Sequence, residues 1–377
     1  MHLFDVYPLL NIEPVSASGC TVIDTQGVVY LDLYGGHAVI SIGHCHPHYV
    51  ARMERQLRKI GFYSNSVQNS LQRELAHKLG VLSGYPDYAL FLCNSGAEAN
   101  ENAFKLAAYK TGKSKVLSFS KAFHGRTAGA VACTDKPSIR SPFSLGSDSV
   151  TFVPLNDIGA VEAALATQSY AAVIIEGIQG VAGIITPEDK FMQELRLLCT
   201  RTGTPLILDE IQSGYGRTGA FFAHQLAGIQ ADLITVAKGM GNGFPVGGVL
   251  ISPDFVPVHG QLGATFGGNH LACTAALAVL EVIEQESLME NAKIIGNYLF
   301  EQLSFMPHAV SGLRGRGLMM GFEALPEYAT LKHDLLYKER CFTGASGSNT
   351  IRLLPPMCLT MAEAKQFITS VHKIINE

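Results

Sequence analysis

Pro205-Leu206-Ile207-Leu208-Asp209 and Leu233-Ile234-Thr235-Val236-Ala237-Lys238 are the two stretches on which the fold turns. Each is a short apolar run on consecutive positions, closed by one charged residue. Such runs suit strands covered on both faces, as in a parallel sheet. Working outward, residues 115–118, 171–178 and 248–252 read the same way. Helical patterns lie between some of them. Thr186-Pro187-Glu188-Asp189 has the features of a helix start, with Thr as N-cap and Pro at the first position. That helix is predicted to carry Leu195 and Leu198 on one face and to stop at Gly203. Alternating strands and helices predict an α/β fold on a mostly parallel sheet. Sheets of this kind bind ligands beyond the carboxyl ends of their strands, where Asp209 and Lys238 are expected.

The rest of the chain sets bounds. It has 377 residues, 47% of them hydrophobic and 16% charged, with 38 Gly. That composition excludes a disordered or fibrous chain. The length allows one large domain and a smaller one. Lys+Arg number 28 and Asp+Glu 32, with no basic run, which argues against nucleic acid as a partner. No stretch of 18 apolar residues suggests a membrane span. The N-terminus lacks a basic region followed by a long apolar one, so a cytoplasmic protein is expected. The eight cysteines are scattered without a CxxC pair and read as reduced thiols. Residues 21–24 and 28–33 form strands around Gln26-Gly27, and residues 271–303 read as one long helix. Residues 305–377 mix strands at 317–323 and 350–354 with a helix at 361–375. The expected division is an N-terminal segment 1–45, a large domain 46–270, and a linking helix with a small domain, 271–377, completed by both chain ends.

Several residues could carry chemistry. Asp209 and Lys238 at the ends of buried strands are costly unless paired or used. They fit either a structural ion pair or a pyridoxal phosphate (PLP) site. In the second case Lys forms a Schiff base and Asp keeps the pyridine nitrogen protonated. Spacing alone leaves both open. Asn94-Ser95-Gly96-Ala97-Glu98 precedes a helical stretch. Its backbone N–H groups suit a phosphate, although an ordinary N-cap explains it as well. Phe123-His124-Gly125-Arg126-Thr127 offers a ring for stacking and a guanidinium for a carboxylate, or simply a core aromatic and a surface arginine. Three patterns mislead. Gly214-Tyr215-Gly216-Arg217-Thr218-Gly219 matches G-x-G-x-x-G, but its strand ends five residues earlier, at Asp209, so a loop is expected. Gly112-Lys113-Ser114 lacks the first glycine of a phosphate loop. His44-Cys45-His46-Pro47-His48 fits no usual zinc spacing and reads as a loop or helix entry.

The ordered set of motifs resembles the class III PLP-dependent aminotransferases, in particular those acting on N-acyl-ornithines, over nearly the whole chain. It comprises Gly43-His44-Cys45-His46-Pro47, Asn94 to Asn100, Phe123 to Thr127, Glu176-Gly177-Ile178-Gln179-Gly180, Leu208 to Gly214, Ala237-Lys238-Gly239, Thr265-Phe266-Gly267-Gly268-Asn269, Arg314 to Leu318, and Ile351-Arg352-Leu353. The resemblance implies an aspartate-aminotransferase-like fold and PLP as cofactor. It makes Lys238 the covalent anchor and proton carrier and Asp209 the partner of the ring nitrogen. It places Gln212 at the ring hydroxyl, Phe123 on the ring face, and Ser95, Gly96 and Ala97 at the phosphate. Thr265 would complete the phosphate site of a neighbouring copy in a homodimer. Arg126 would bind the donor's α-carboxylate, and Arg352 that of glutamate or 2-oxoglutarate. The implied reaction moves the terminal amine of N-acyl-ornithine, acetyl or succinyl, to 2-oxoglutarate in arginine biosynthesis. Ornithine or 4-aminobutyrate aminotransferase, and a catalytically silent binding protein, are the rival readings. The sequence departs from the family at Val181, where Glu is usual, at Ala264, where Ser or Thr is common, and at His37, where an apolar or aromatic wall is expected. All three lie on the substrate side.

Overall fold

The computed structural model describes residues 1–143 and 147–376. Near the N-terminus, β1 (Pro14–Ser18), β2 (Thr21–Asp24) and β3 (Val29–Asp32) form an antiparallel meander. Seven further strands make the central sheet: β4 (Ala89–Cys93), β5 (Lys115–Phe119), β6 (Val150–Val153), β7 (Tyr170–Glu176), β8 (Leu206–Asp209), β9 (Leu233–Val236) and β10 (Gly247–Ile251). Their order is β4-β10-β9-β8-β7-β5-β6. The run β9-β8-β7-β5-β6 is parallel throughout. All seven residues of β7 and all four of β8 and β9 are buried, which accounts for their mostly apolar sequence.

The mostly parallel sheet expected from the sequence is present, with one correction. Strand β10 runs antiparallel to β9 and β4. The link of residues 237–246 is shorter than the dozen or so residues a parallel crossover takes. The expected single helix over 271–303 is two, His270–Gln285 and Leu288–Ser304, broken where Ser287 turns left-handed at φ 52°. Thr186 is not an N-cap. Ile185 pairs with Gln179, so Thr186 and Pro187 continue extended chain and the helix starts at Asp189. It ends, as expected, on Gly203. Pro47 opens a helix at Pro47–Leu57, and residues 211–222 form a turn-rich loop.

The C-terminal part supplies β11 (Val310–Arg316), β12 (Met319–Ala324), β13 (Cys341–Phe342), β14 (Gly344–Ser346) and β15 (Thr350–Leu353). Strands β11-β12-β15-β14 form one sheet, while β13 lies parallel to β3 of the N-terminal meander. The chain ends therefore meet in one sheet. The helix His270–Gln285 is buried on nearly every side, from Ala272 to Ile283, and forms a core rod rather than an amphipathic surface helix. Among the described residues no helix is long and apolar enough to cross a membrane.

Candidate active site

Strands β7 and β8 end together, with Glu176 opposite Asp209 in register. Asp209 is 5% exposed and fully engaged. Its Oδ2 accepts from Asn100 Nδ2 at 2.9 Å and meets His124 Nδ1 at 2.7 Å, and its Oδ1 accepts from the Ile211 N–H at 3.1 Å. Asn100 also donates to the His124 carbonyl at 2.8 Å. Three segments thus converge on one carboxylate: the helix Gly96–Thr111, the loop after β5, and the turn after β8. This network holds the carboxyl group in place with little exposure to water.

Glu176 has a different setting. Its two oxygens accept from the backbone N–H groups of Phe123 and Gly180, each at 3.0 Å. Burial pushes its carboxyl up to about 7, with neighbouring Asp209 adding to the rise and His124 opposing it. Lys238 follows β9 by two residues and sits left-handed at φ 47°. Such backbone strain in a non-glycine residue persists where the surroundings impose it. Burial lowers the proton affinity of its amine; Asp209 and Glu176 resist this, and Arg352 and Arg217 reinforce it.

The helix Gly96–Thr111 begins at the same place. Ser95 caps it by accepting from the Glu98 N–H at 3.2 Å. A side chain at Gly96 would stand 2.7 Å from Ile211 Cδ1, so glycine lets the helix start lie this close to the turn after Asp209 without moving the Ile211 side chain. Ser95, Gly96, Ala97, Phe123, Asp209, Gln212 and Lys238 all line one cavity of about 290 Å³, together with His124, Glu176 and Val181.

The other expected site residues are not among those lining that cavity. Arg352, on β15, is 5% exposed, and its Nη1 donates to the Gly180 carbonyl at 3.0 Å while its Nε has no partner. His37 is exposed, its carbonyl accepts from Gln212 Nε2 at 3.2 Å, and its ring meets the Tyr34 hydroxyl. Arg126 and Thr265 are exposed and Ala264 is half-buried, and none of the three lines the cavity of its own chain. The sequence quoted Asn100, His124 and Glu176 inside motifs but gave them no task. Their roles come from contacts between residues 24 to 109 positions apart, which no local pattern announces.

A flat, phosphate-bearing pyridine fits these residues. The cavity offers a helix N-terminus, an aromatic ring, a carboxylate held by three donors, and an amine of lowered proton affinity. Gln212 Oε1 and His124 Nε2 are buried without partners, which leaves polar capacity for a ligand. A family model described as Aminotransferase class-III matches residues 6–375. The chain belongs to the class-III aminotransferases. It is 39% identical to an acetylornithine aminotransferase of Bacillus cereus, over 99% of this chain and 97% of that protein. An ornithine aminotransferase of Toxoplasma gondii superposes with a TM-score of 0.91 at 27% identity, covering 98% of this chain and 91% of that one; its crystals, grown with oxidised glutathione, show PLP at partial occupancy in the active site. An acetylornithine aminotransferase of Elizabethkingia anophelis superposes with a TM-score of 0.86 at 29% identity, covering 98% and 95%. Class-III aminotransferases depend on PLP, and this aminotransferase is an enzyme of the same mixed α/β architecture.

Proposed function

We propose that this aminotransferase uses PLP to move the terminal amine of an N-acyl-ornithine to 2-oxoglutarate, giving the N-acyl-glutamate 5-semialdehyde and glutamate by a ping-pong exchange. The observation that carries the reading is the meeting of Lys238 and Asp209, from the adjacent strands β9 and β8, on one cavity that begins at a helix N-terminus.

The cofactor supplies an aldehyde that exchanges amines and a ring that accepts electrons. Lys238 Nζ would hold the aldehyde, and its amine, whose proton affinity burial lowers, is suited to accept and return a proton at the donor carbon. Asp209, held by His124, Asn100 and the Ile211 N–H, would keep the ring nitrogen protonated. Phe123 would cover a ring face, Gln212 would meet the ring hydroxyl, and Ser95 with the N–H groups of Gly96 and Ala97 would hold the phosphate. Arg126 takes the donor's carboxylate and Arg352 that of 2-oxoglutarate. Thr265, exposed and away from its own cavity, serves the phosphate of a second copy in a homodimer.

The name of the Bacillus cereus relative, acetylornithine aminotransferase, supports the acetyl donor; a place in arginine biosynthesis is the pathway proposed with it. Val181, Ala264 and His37 leave room for the succinyl donor as well. Steady-state kinetics on N-acetylornithine, N-succinylornithine, ornithine and 4-aminobutyrate test the reading. An acyl-ornithine should give the highest kcat/KM. A clear preference for ornithine or 4-aminobutyrate would replace the proposed donor, and no turnover with any amine would remove the enzymatic reading of the site.

A further inference from the structure

We propose that Cys20 and Cys358 are a redox modification site: a peroxide closes them into a reversible disulfide, and the closure slows the enzyme. Neither residue lines the active-site cavity, and the pair sits where the two ends of the chain meet.

The two residues are 338 positions apart in sequence, yet their Sγ atoms stand 3.7 Å from each other. Among the described residues no other two cysteine sulfurs are in contact. Cys20 immediately precedes β2 and is 2% exposed, and its Sγ also reaches the Pro356 carbonyl at 3.9 Å. Cys358 lies beyond β15 and is half-buried. Gly43 completes its seat. At φ 99°, a side chain there would stand 2.7 Å from Cys358 Sγ, so glycine lets the thiol lie against the backbone. The Cys358 sulfur is thus wedged between Gly43 and Cys20. A disulfide holds its sulfurs at about 2 Å, so closing the bond draws residues 356–358 toward the start of β2.

Cys358, partly open to solvent, meets the peroxide first. One peroxide oxygen goes to its sulfur as a sulfenic acid, and the other leaves as water. The Cys20 sulfur then attacks the Cys358 sulfur, the S–S bond forms, and the departing hydroxide takes the Cys20 proton as water. Two thiols lose two electrons and one peroxide becomes two waters. The segment that moves is tied to the turn carrying Lys238. The Met357 N–H donates to the Ser41 carbonyl at 2.7 Å. Ser41 Oγ donates to the Gly239 carbonyl at 2.7 Å, and Asn242 Oδ1 accepts from the N–H groups of Ser41 and Ile42 at 2.8 and 3.1 Å. Asn242 Nδ2 donates to the Gly43 carbonyl at 2.9 Å. Residues 41–43 therefore bridge the Cys358 segment and the Lys238 turn. A misplacement of about 1 Å passed to a reacting group costs up to about a hundredfold in rate.

The test treats the holoenzyme with hydrogen peroxide. Proteolysis without reductant, followed by mass spectrometry, should yield a peptide pair joining Cys20 to Cys358. Transamination kcat should fall by about tenfold or more, and dithiothreitol should restore it. Cys358→Ser should keep its basal turnover and lose the response to peroxide. Cys20→Ala should do the same, which keeps the test open if one variant folds poorly. Cys45→Ser, which removes the exposed thiol two residues beyond Gly43, should respond as the wild type does. Absence of the joined peptide would overturn the inference, as would a joined peptide with unchanged kcat, or Cys358→Ser losing as much turnover to peroxide as the wild type. Any amine donor that the enzyme accepts serves for these assays, so their outcome is separate from that of the donor comparison above.

Discussion

The two sides of the cavity are built differently. On the sheet side, Asp209 has three hydrogen-bond partners, Glu176 has two backbone donors, and both carboxylates are almost fully buried. On the rim, Arg126 is exposed, Arg352 keeps an unpartnered Nε, and His37 rests on a strained left-handed turn. The first side is over-determined, as groups that fix a reacting ring must be. The second has spare hydrogen-bonding capacity and two guanidinium groups without an ion pair among the described residues, as suits a surface that receives exchanging substrates. On the proposed function, reaction class rests on the sheet side and donor choice on the rim.

Changes on each side should separate accordingly. Lys238→Ala should abolish turnover with every donor and remove the visible absorbance of the purified protein; turnover that survives would remove Lys238 from the chemistry. Asp209→Asn keeps the side chain's shape but removes its charge. It should lower kcat by about a hundredfold or more, the scale of losing one preorganised electrostatic group, and by similar factors for all donors. A donor-dependent effect at Asp209 would blur the division between the two sides. The rim change His37→Glu should do the opposite and alter the ranking of donors more than their common rate.

The smallest effect concerns Glu176. Its carboxyl value in the folded chain, about 7, lies above the ordinary 4.5, so between these values the folded chain holds a proton that the unfolded chain releases. Stability should fall as pH rises through that window, by at most about 3 kcal/mol. Urea unfolding midpoints at pH 5 and pH 8 should differ less in Glu176→Gln than in the wild type, and an equal difference in both would assign the titration to another group.

Much of the sheet side was legible in the sequence because burial on both faces leaves a run of Leu, Ile and Val that ends at the charged residue. The direction of β10 was not legible, since a buried strand reads alike whether parallel or antiparallel; only the short link at 237–246 fixes it. The break at Ser287 carries no Gly or Pro to mark it. Asn100, His124 and Glu176 became site residues only when distant segments met. On the rim, Arg352 owes its position to β15 pairing with β12 and β14, and Arg126, an exposed loop arginine, has no local pattern that reveals a task. Their proposed roles rest on the resemblance to the family.

The central claim is a covalent hold by Lys238 on a PLP aldehyde whose ring faces Asp209. Borohydride reduction of the purified protein, followed by proteolysis and mass spectrometry, tests it most directly. A pyridoxyl-phosphate adduct on the peptide containing Lys238, absent in Lys238→Ala, is the predicted result; an adduct on another lysine, or none in a protein saturated with PLP, would contradict it.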